Sequence, residues 1–414
     1  MNSIAIIGSG PAGCYLADHL LRLLPDVHID ILERLPVPFG LVRYGVAPDH
    51  QGTKAIARVL ERTLGRERIS FFGNVEVGRD VSLDEMRLLY DAVVLATGAW
   101  RDRRLSIPGE DLSGVVGSAA FTGWYNSHPE RSSPAVNNVR SAIVIGNGNV
   151  ALDVARVLAK SPAEMIGSDL SLEAAAWLEA QPIAEIHIVG RRGAADTRFS
   201  EHELAELGRL ERAMPLIAGP HDLAGESPVL ETLRGFDAAQ RRETPVTIRF
   251  HFHLTPHAFV GEAQLRAVQF RRADGSIAEV PAQLAVTCIG YEARACCNLQ
   301  LAGGVFTNQE GRIVEGLYVV GWAKRGPSGT IPTNRTEAQQ LAQRIAAEVT
   351  ASGRAGGEGL RELLARRNVG WVDYAAWRRI DAAEVARAGE GRSRLKFSAV
   401  AQMLEAAQAR GHVK

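Results

Sequence analysis

Short runs of apolar residues alternate with amphipathic stretches along most of the chain. An apolar run at residues 3–8 precedes apolar positions at helical spacing over 11–24, and a second apolar run covers 27–32. The same order returns later, where residues 142–145 precede another helical pattern and 186–189 form the next apolar run. Strand, helix and strand in this order predict two βαβ units with parallel sheets.

The remaining elements are predicted from the same two patterns, short apolar runs for strands and apolar positions at helical spacing for helices. We predict further strands near 69–72, 92–96, 246–254, 264–271, 283–289 and 317–322, and helices near 52–64, 170–180, 333–350, 359–367 and 374–388. The segment 36–50 is too rich in Pro and Gly for a regular element and too apolar for a solvent-exposed loop. The fold class we expect is α/β with two Rossmann-like domains.

Composition narrows the function classes. The chain has 414 residues, enough for two or three domains, and 46% hydrophobic with 23% charged residues is typical of a soluble globular enzyme. Lys plus Arg and Asp plus Glu both number 47, so the global charge indicates neither nucleic-acid nor membrane-surface binding. Apolar runs are too short for a membrane span, and the first strand begins too early for a signal peptide. We expect a cytoplasmic protein.

The cysteines carry little of the predicted chemistry. Cys14, Cys288, Cys296 and Cys297 form no CxxC pair, which argues against a thiol–disulfide reductase and against a zinc site. We expect free thiols and no bound metal.

The first glycine-rich turn, at residues 8–13, predicts a dinucleotide site. Gly8 allows the tight turn, Gly10 lets the backbone approach a pyrophosphate, and Gly13 lets the helix pack on the strand. Glu33 ends the next strand, where a carboxylate binds the ribose of an unphosphorylated nucleotide such as FAD or NAD. A 2′-phosphate would be repelled there.

A second turn of this kind lies at residues 146–151 and ends in Ala151. Its following strand ends in Arg191 and Arg192 with no acid, and two guanidinium groups suit the 2′-phosphate of NADP(H). A solvated basic turn is the alternative. Two such turns in one chain suggest two dinucleotides held for hydride transfer.

Several motifs resemble those of the adrenodoxin reductase-like ferredoxin–NADP⁺ reductases, and the likeness covers nearly the whole chain. The motifs lie at residues 38–50, 73–78, 146–156, 321–334 and 373–389. The resemblance implies a discontinuous FAD-binding domain of residues 1–104 and 296–414, with an NADP-binding domain of residues 105–295. The stretch 193–197 departs from the family's usual run after the two arginines.

The resemblance also implies site residues. With the three glycines of the first turn, the FAD contacts are Gly8, Gly10, Ala12, Gly13, Glu33, Leu41, Val77, Trp322, Gly329, Thr330 and Ile331. The implied NADP contacts are Asn147, Gly148, Asn149, Val150, Arg191, Arg192, Glu203 and Gly329. The implied catalytic, proton-handling pair is His50 and Glu206.

The implied reaction is hydride transfer from NADPH to FAD, followed by delivery of single electrons to a ferredoxin-type iron–sulfur protein, which could pass them to a cytochrome P450. An acidic ferredoxin would dock on basic residues, for which Arg209, Arg212, Lys324 and Arg325 are candidates. Two rival functions stay open. One is an NADPH-oxidising flavoprotein of the glutamate synthase small-subunit type, and the other is a non-catalytic dinucleotide-binding redox module.

Some of these residues also have plain structural interpretations. His50 could cap the next helix, and Glu203 and Glu206 could belong to a solvated acidic helix face. His251 and His253 are two residues apart in a predicted strand, so we expect both on one exposed face rather than at a metal.

Overall fold

The computed structural model describes residues 2–219, 222–239 and 242–409. The strands are β1 (Asn2–Ile7), β2 (Val27–Glu33), β3 (Ile69–Gly73), β4 (Ala92–Leu95), β5 (Arg101–Asp102), β6 (Val115–Gly117), β7 (Ser141–Ile145), β8 (Glu185–Val189), β9 (Ala213–Ile217), β10 (Val246–His251), β11 (Thr255–Gly261), β12 (Leu265–Arg271), β13 (Ile277–Pro281), β14 (Leu284–Thr287), β15 (Tyr291–Glu292), β16 (Leu301–Ala302), β17 (Val305–Phe306), β18 (Arg312–Val314) and β19 (Leu317–Val319).

The helices are α1 (Pro11–Leu23), α2 (Leu41–Tyr44), α3 (Gln51–Lys54), α4 (Ala57–Leu64), α5 (Leu83–Leu89), α6 (Ser118–Tyr125), α7 (Asn149–Ala159), α8 (Leu172–Ala180), α9 (Glu201–Leu207), α10 (Pro228–Ala238), α11 (Trp322–Arg325), α12 (Ile331–Glu348), α13 (Gly356–Arg366), α14 (Tyr374–Ala386) and α15 (Val400–Gln408). Two 3₁₀ turns lie at Ala163–Met165 and Ala194–Asp196.

The chain divides into two compact units. Among the described residues, unit 1 takes the chain up to Val46, then His50–Arg101, then everything from Tyr291 onward. Unit 2 takes Ala47–Asp49 and Asp102–Gly290. Both units therefore consist of segments that are separated in the sequence.

Unit 1 is built on a six-stranded sheet in the order β18-β19-β4-β1-β2-β3. Its neighbouring strands are parallel except for the antiparallel pair of β18 and β19. Ile4 and Ile6 share an apolar cluster with residues of α1 and α12, whereas Ala5 and Ile7 share one with residues of α5 and α13. Helices on both faces explain why the strand is an unbroken apolar run.

Unit 2 is built on a six-stranded parallel sheet in the order β6-β14-β7-β8-β10-β9. Val144 and Ile186 pack in a cluster with residues of α7, α9 and α10. On the other face, Ile143 and Ile145 share a cluster with residues of the antiparallel sheet β11-β12-β13. The α/β fold class with parallel sheets is confirmed.

The sequence patterns do not predict α5, α6, α10 or β9, nor the short helix α2 within the segment 36–50, and three further features differ from the sequence prediction. The helix predicted near 52–64 is two helices, α3 and α4, with a break at residues 55–56. Strands β11 and β13 are not predicted from the sequence. They lack the continuous apolar run of the central strands, because they belong to a small sheet with partly exposed faces. Helix α15 follows α14, which we predicted to be the last helix, and the two pack against each other.

Candidate functional site

The first glycine turn joins three backbone segments at distances that exclude a side chain. Gly8 has a φ of 114°, and a Cβ there would lie 2.4 Å from the carbonyl oxygen of Ala96. A Cβ at Gly13 would lie 2.2 Å from the carbonyl oxygen of Gly8. The ends of β1 and β4 and the start of α1 therefore meet backbone to backbone, as the sequence predicts for this turn.

Gly10 leaves open space in front of helix α1. It is the N-cap residue, with no side chain capping the helix, and a Cβ there would meet nothing within 4 Å. The first N–H groups of α1 have no intrahelical partner and carry a partial positive charge. This end of α1 can therefore receive an anionic group such as a pyrophosphate.

Glu33 is fixed beside this turn. Its Oε2 accepts hydrogen bonds from the backbone N–H of Ser9 at 3.2 Å and from the Ser9 hydroxyl at 2.7 Å. Nearby, at the end of β4, the hydroxyl of Thr97 is buried and has no hydrogen-bond partner in the described part of the chain. An oriented carboxylate and an unused hydroxyl suit the adenosine end and pyrophosphate of FAD.

Two distant segments come to the same turn. The N–H of Phe39 donates to the carbonyl oxygen of Ser9 at 3.2 Å, which brings Leu41 at the start of α2 close to the turn. Gly321, with a φ of 72°, approaches Ala12 so closely that a Cβ would lie 2.7 Å from the Ala12 Cβ. The structure therefore brings the predicted contacts Ala12, Leu41 and Trp322 together.

Hydrogen bonds and apolar packing position the other predicted FAD contacts. The indole N–H of Trp322 donates to the carbonyl oxygen of Ser328 at 3.1 Å and so ties α11 to the turn that contains Gly329. Gly329 has a φ of 77°, and the N–H of Thr330 donates to the Thr333 hydroxyl at 3.1 Å, where α12 begins. Val77 is buried in the apolar cluster on the other face of the sheet.

A buried ion pair holds α2 in place. Arg43 contacts Glu384 of α14, and both side chains are almost fully buried. Glu384 also accepts a hydrogen bond from the N–H of Phe397 at 3.0 Å. The C-terminal part of unit 1 therefore fixes the segment that carries Leu41.

Lys324 and Arg325, two candidates for docking a partner, are turned to an internal carboxylate. Glu337 of α12 is buried, and its Oε1 lies 3.1 Å from the Lys324 ammonium nitrogen. The Glu337 Oε2 contacts the Arg325 guanidinium and accepts from the N–H of Gly321 at 3.1 Å. Because a buried carboxylate needs these cations, they are committed to Glu337 rather than exposed to a partner.

The second glycine turn repeats the first in unit 2. Gly146 has a φ of 149°, and a Cβ there would lie 2.3 Å from the carbonyl oxygen of Cys288. Gly148 caps α7 without a side-chain hydrogen bond and has nothing within 4 Å of its Cβ position. The amide oxygen of Asn147 is buried without a hydrogen-bond partner in the described part of the chain. The turn therefore offers an open helix terminus and an unused acceptor.

The other predicted NADP contacts surround this turn. Arg191 and Arg192 are exposed just after β8, and neither side chain forms a hydrogen bond or ion pair among the described residues. The side chain of Asn147 reaches the position of Gly190, which places the two arginines next to the turn. The Asn149 amide oxygen accepts from the N–H of Ser200 at 2.7 Å, whereas Val150 packs against the core.

A charge network that the sequence did not reveal lies on α7. Arg156 is 1% exposed, and its Nε and Nη2 donate to the two carboxylate oxygens of Asp49 at 2.8 and 3.2 Å. Lys160 donates to Asp49 at 2.7 Å, and Asp153 accepts from Arg156 at 2.7 Å. Burial alone would raise the pKa of Asp49, but hydrogen bonds and charge from Arg156 and Lys160 hold that pKa well below its ordinary value.

The same arginine reaches the two predicted acids of α9. Its Nη1 lies 3.5 Å from Glu203 and 3.4 Å from Glu206, and these side chains are only 20% and 23% exposed. The interpretation as a solvated acidic face is therefore wrong for both. His50 in unit 1 is the N-cap residue of α3, as the helix-cap interpretation expects, and its carbonyl oxygen accepts from the N–H of Lys54 at 3.0 Å, but its imidazole makes no capping hydrogen bond.

His251 and His253 do not share a face, contrary to the sequence prediction. Strand β10 ends at His251, and His253 has a φ of 57°, so the two-residue period no longer applies. The His251 ring instead hydrogen-bonds to His187 on β8 at 3.0 Å, while the backbone carbonyl of His251 accepts from the N–H of Gly190. The backbone of His251 is therefore bonded to Gly190, the residue directly before Arg191.

Known proteins resemble the chain over its full length. The model of the family "Pyridine nucleotide-disulphide oxidoreductase" matches residues 2–206. Cindoxin reductase of Citrobacter braakii is 38% identical over 423 aligned residues, which cover 99% of this chain and 92% of that protein. The mitochondrial NADPH:adrenodoxin oxidoreductase of Homo sapiens is 36% identical, covering 97% and 91%. The chain belongs to the adrenodoxin reductase-like ferredoxin–NADP⁺ reductase family.

The solved structures agree with membership of this reductase family. The structure of Mycobacterium tuberculosis FprA in complex with NADPH matches with a TM-score of 0.92 at 35% identity, and covers 99% of this chain and 100% of that chain. The predicted oxidoreductase class and the cofactors FAD and NADP(H) are confirmed at the level of the family. Within the described ranges, no helix is long and apolar enough to cross a bilayer.

The histidine pair predicts an acid-sensitive unit 2. Burial lowers the pKa of His187, and burial, together with the proximity of His187 and of the Arg249 charge, lowers the pKa of His251 to about 4. Both rings are neutral in the folded state, so the unfolded chain binds more protons once the pH falls below about 6.5. We therefore expect the free energy of unfolding to decrease by up to about 3 kcal/mol between pH 6.5 and 4.

The test is urea unfolding of wild type and His251→Gln across this pH range. The glutamine can still hydrogen-bond to His187 but does not titrate, so the variant should lose part of this pH dependence. His253→Gln is the control, because it makes the same substitution at an exposed histidine outside the pair. Equal pH slopes for wild type and His251→Gln would contradict the prediction. Glu185, at 3.3 Å from His187, acts equally in all three proteins.

Proposed function

We propose that this chain is an NADPH-dependent ferredoxin reductase, with FAD bound at the first glycine turn and NADPH at the second. The observation that carries the proposal is the difference in charge beside two glycine turns of the same kind. The first has a fixed carboxylate, Glu33, at the ribose end, and the second has the free arginines Arg191 and Arg192. Family membership supports the reaction.

The chemistry belongs to the cofactors, because bound FAD can accept a hydride from NADPH and release electrons one at a time to an iron–sulfur protein. The residues of this chain bind and orient. The open ends of α1 and α7 hold the pyrophosphates, and Glu33 holds the ribose of FAD. The segment from Trp322 to Ile331 bounds the flavin, and Val77 contributes from the loop that follows β3.

The proposed partner is an acidic ferredoxin-type protein. Arg209 is exposed after α9, and Arg212 is half-buried, so Arg209 is the better docking candidate of the two. The cytoplasmic location predicted from the sequence stays part of this proposal.

The decisive experiment is anaerobic mixing of the flavin-loaded protein with NADPH, followed by oxidised ferredoxin. NADPH should bleach the flavin absorbance, and ferredoxin should restore it at a rate that falls with added salt, since opposite charges steer docking. Reduction by NADPH without transfer to any ferredoxin would favour the glutamate synthase small-subunit type of function. Absence of bleaching would favour a non-catalytic binding module, and a purified protein that takes up no FAD would refute the proposal.

The arginine pair predicts the coenzyme preference. Wild type should have a much larger kcat/KM for NADPH than for NADH, because Arg191 and Arg192 can form charge-assisted hydrogen bonds to the 2′-phosphate. The double variant Arg191→Ala/Arg192→Ala should lose about a hundredfold in kcat/KM for NADPH and little for NADH. Steady-state kinetics with both coenzymes measure this, and equal kcat/KM values in wild type would be incompatible with the assignment.

We further propose that His50 and Glu206 handle the proton that accompanies hydride uptake. His50 directly precedes α3, and Glu206 is partly buried, 3.4 Å from the Nη1 of Arg156. His50→Ala should slow flavin reduction by NADPH more than about threefold and change its pH profile. A smaller effect with an unchanged profile would leave His50 with a structural role only.

A further inference from the structure

We infer that Arg198 is a third phosphate-binding residue of the second nucleotide site, and that it contacts the pyrophosphate rather than the 2′-phosphate. The inference rests on the proposed function, because it requires NADP(H) at the turn formed by residues 146–151. It concerns a residue that neither the glycine pattern nor the arginine pair predicts.

The backbone of Arg198 is fixed against this turn. Its N–H donates to the carbonyl oxygen of Asn147 at 2.8 Å, and Arg198 forms a parallel bridge with Gly148. Two residues later, the N–H and hydroxyl of Ser200 bond to the Asn149 amide at 2.7 and 3.3 Å. The segment 198–200 therefore runs alongside the turn, with hydrogen bonds from Arg198 to Asn147 and between Ser200 and Asn149.

The side chain of Arg198 is available to a ligand. Phe199 is buried in the core, and in an extended segment its neighbours Arg198 and Ser200 point to the opposite side. Arg198 is exposed, and its guanidinium forms no hydrogen bond or ion pair among the described residues. The single acid between Arg191 and Arg198 is Asp196, so the loop has an excess of positive charge.

The position of Arg198 favours contact with the pyrophosphate over contact with the 2′-phosphate. Arg191 and Arg192 follow the end of β8, where the 2′-position of the ribose lies in this kind of fold. Arg198 instead lies beside Gly148, at the uncapped start of α7 where the pyrophosphate lies. A guanidinium there can form bidentate, charge-assisted hydrogen bonds to phosphate oxygens.

Two classes of arginine follow, with different effects on specificity. Arg191 and Arg192 should matter only for nucleotides that carry a 2′-phosphate. Arg198 should matter for every dinucleotide that carries a pyrophosphate, with or without the 2′-phosphate. Removing it should lower affinity without changing the preference for NADP(H).

The experiment is equilibrium titration of the flavin-loaded full chain with four probes, NADP⁺, NAD⁺, ADP-ribose and 2′-AMP. Arg198→Ala should weaken NADP⁺, NAD⁺ and ADP-ribose by the same factor, about tenfold, and leave 2′-AMP unchanged. Arg191→Ala/Arg192→Ala should weaken NADP⁺ and 2′-AMP only. Arg198→Lys should recover part of the loss, because an ammonium keeps the charge but not the bidentate geometry.

The matched control is Arg266→Ala, which removes the same charge from an exposed position on β12 of unit 2. It should bind all four probes like wild type. Equal weakening by Arg266→Ala would mean a general charge effect and overturn the inference. So would unchanged binding in Arg198→Ala, or a loss that includes 2′-AMP. If wild type itself binds no NADP⁺, the proposed function fails instead, which separates the two failures.

Discussion

The structure depends on one packing constraint, the direct contact of backbone with backbone where a parallel strand ends and a helix begins. At Gly8 and Gly146 a single Cβ would lie within 2.5 Å of a carbonyl carbon or oxygen of the neighbouring strand end. Because no side chain separates the segments, the helix starts directly at the sheet edge. Its first N–H groups face outward, since the N-cap residues Gly10 and Gly148 offer no side chain to them.

With this shared geometry, the difference between the two sites comes from what surrounds each turn. In unit 1, Glu33 is held by Ser9, and the segments at Leu41 and Trp322 close around the turn. In unit 2, the corresponding strand is followed by free arginines, and the carboxylates Glu203 and Glu206 are drawn to Arg156 instead. On the proposed assignment, opposite charge at equivalent places would let one fold bind two nucleotides that differ in phosphorylation.

Local patterns predicted most of the framework, because the central strands and their covering helices keep a regular period. They could not predict β11 and β13, whose residues face a small, partly exposed sheet. They also could not find partners that are distant in sequence. Arg156 in the largely apolar helix α7 signals buried counter-ions, and Asp153 is one of them, but the sequence does not show that another is Asp49. Likewise, the sequence suggests that Lys324 is a surface charge, whereas the structure shows it in an ion pair with the buried Glu337.

The tripeptide Ala47–Asp49 has a consequence for how the protein can be divided. It belongs to unit 2 although unit 1 supplies the residues on both sides of it. A fragment of residues 102–290 would keep the buried guanidinium of Arg156. It would lose the Asp49 carboxylate, which accepts two hydrogen bonds from that guanidinium. If unit 2 were exchanged with that of a relative, residues 47–49 would therefore have to be exchanged together with residues 102–290. Domain boundaries drawn along the sequence alone would leave these three residues in unit 1.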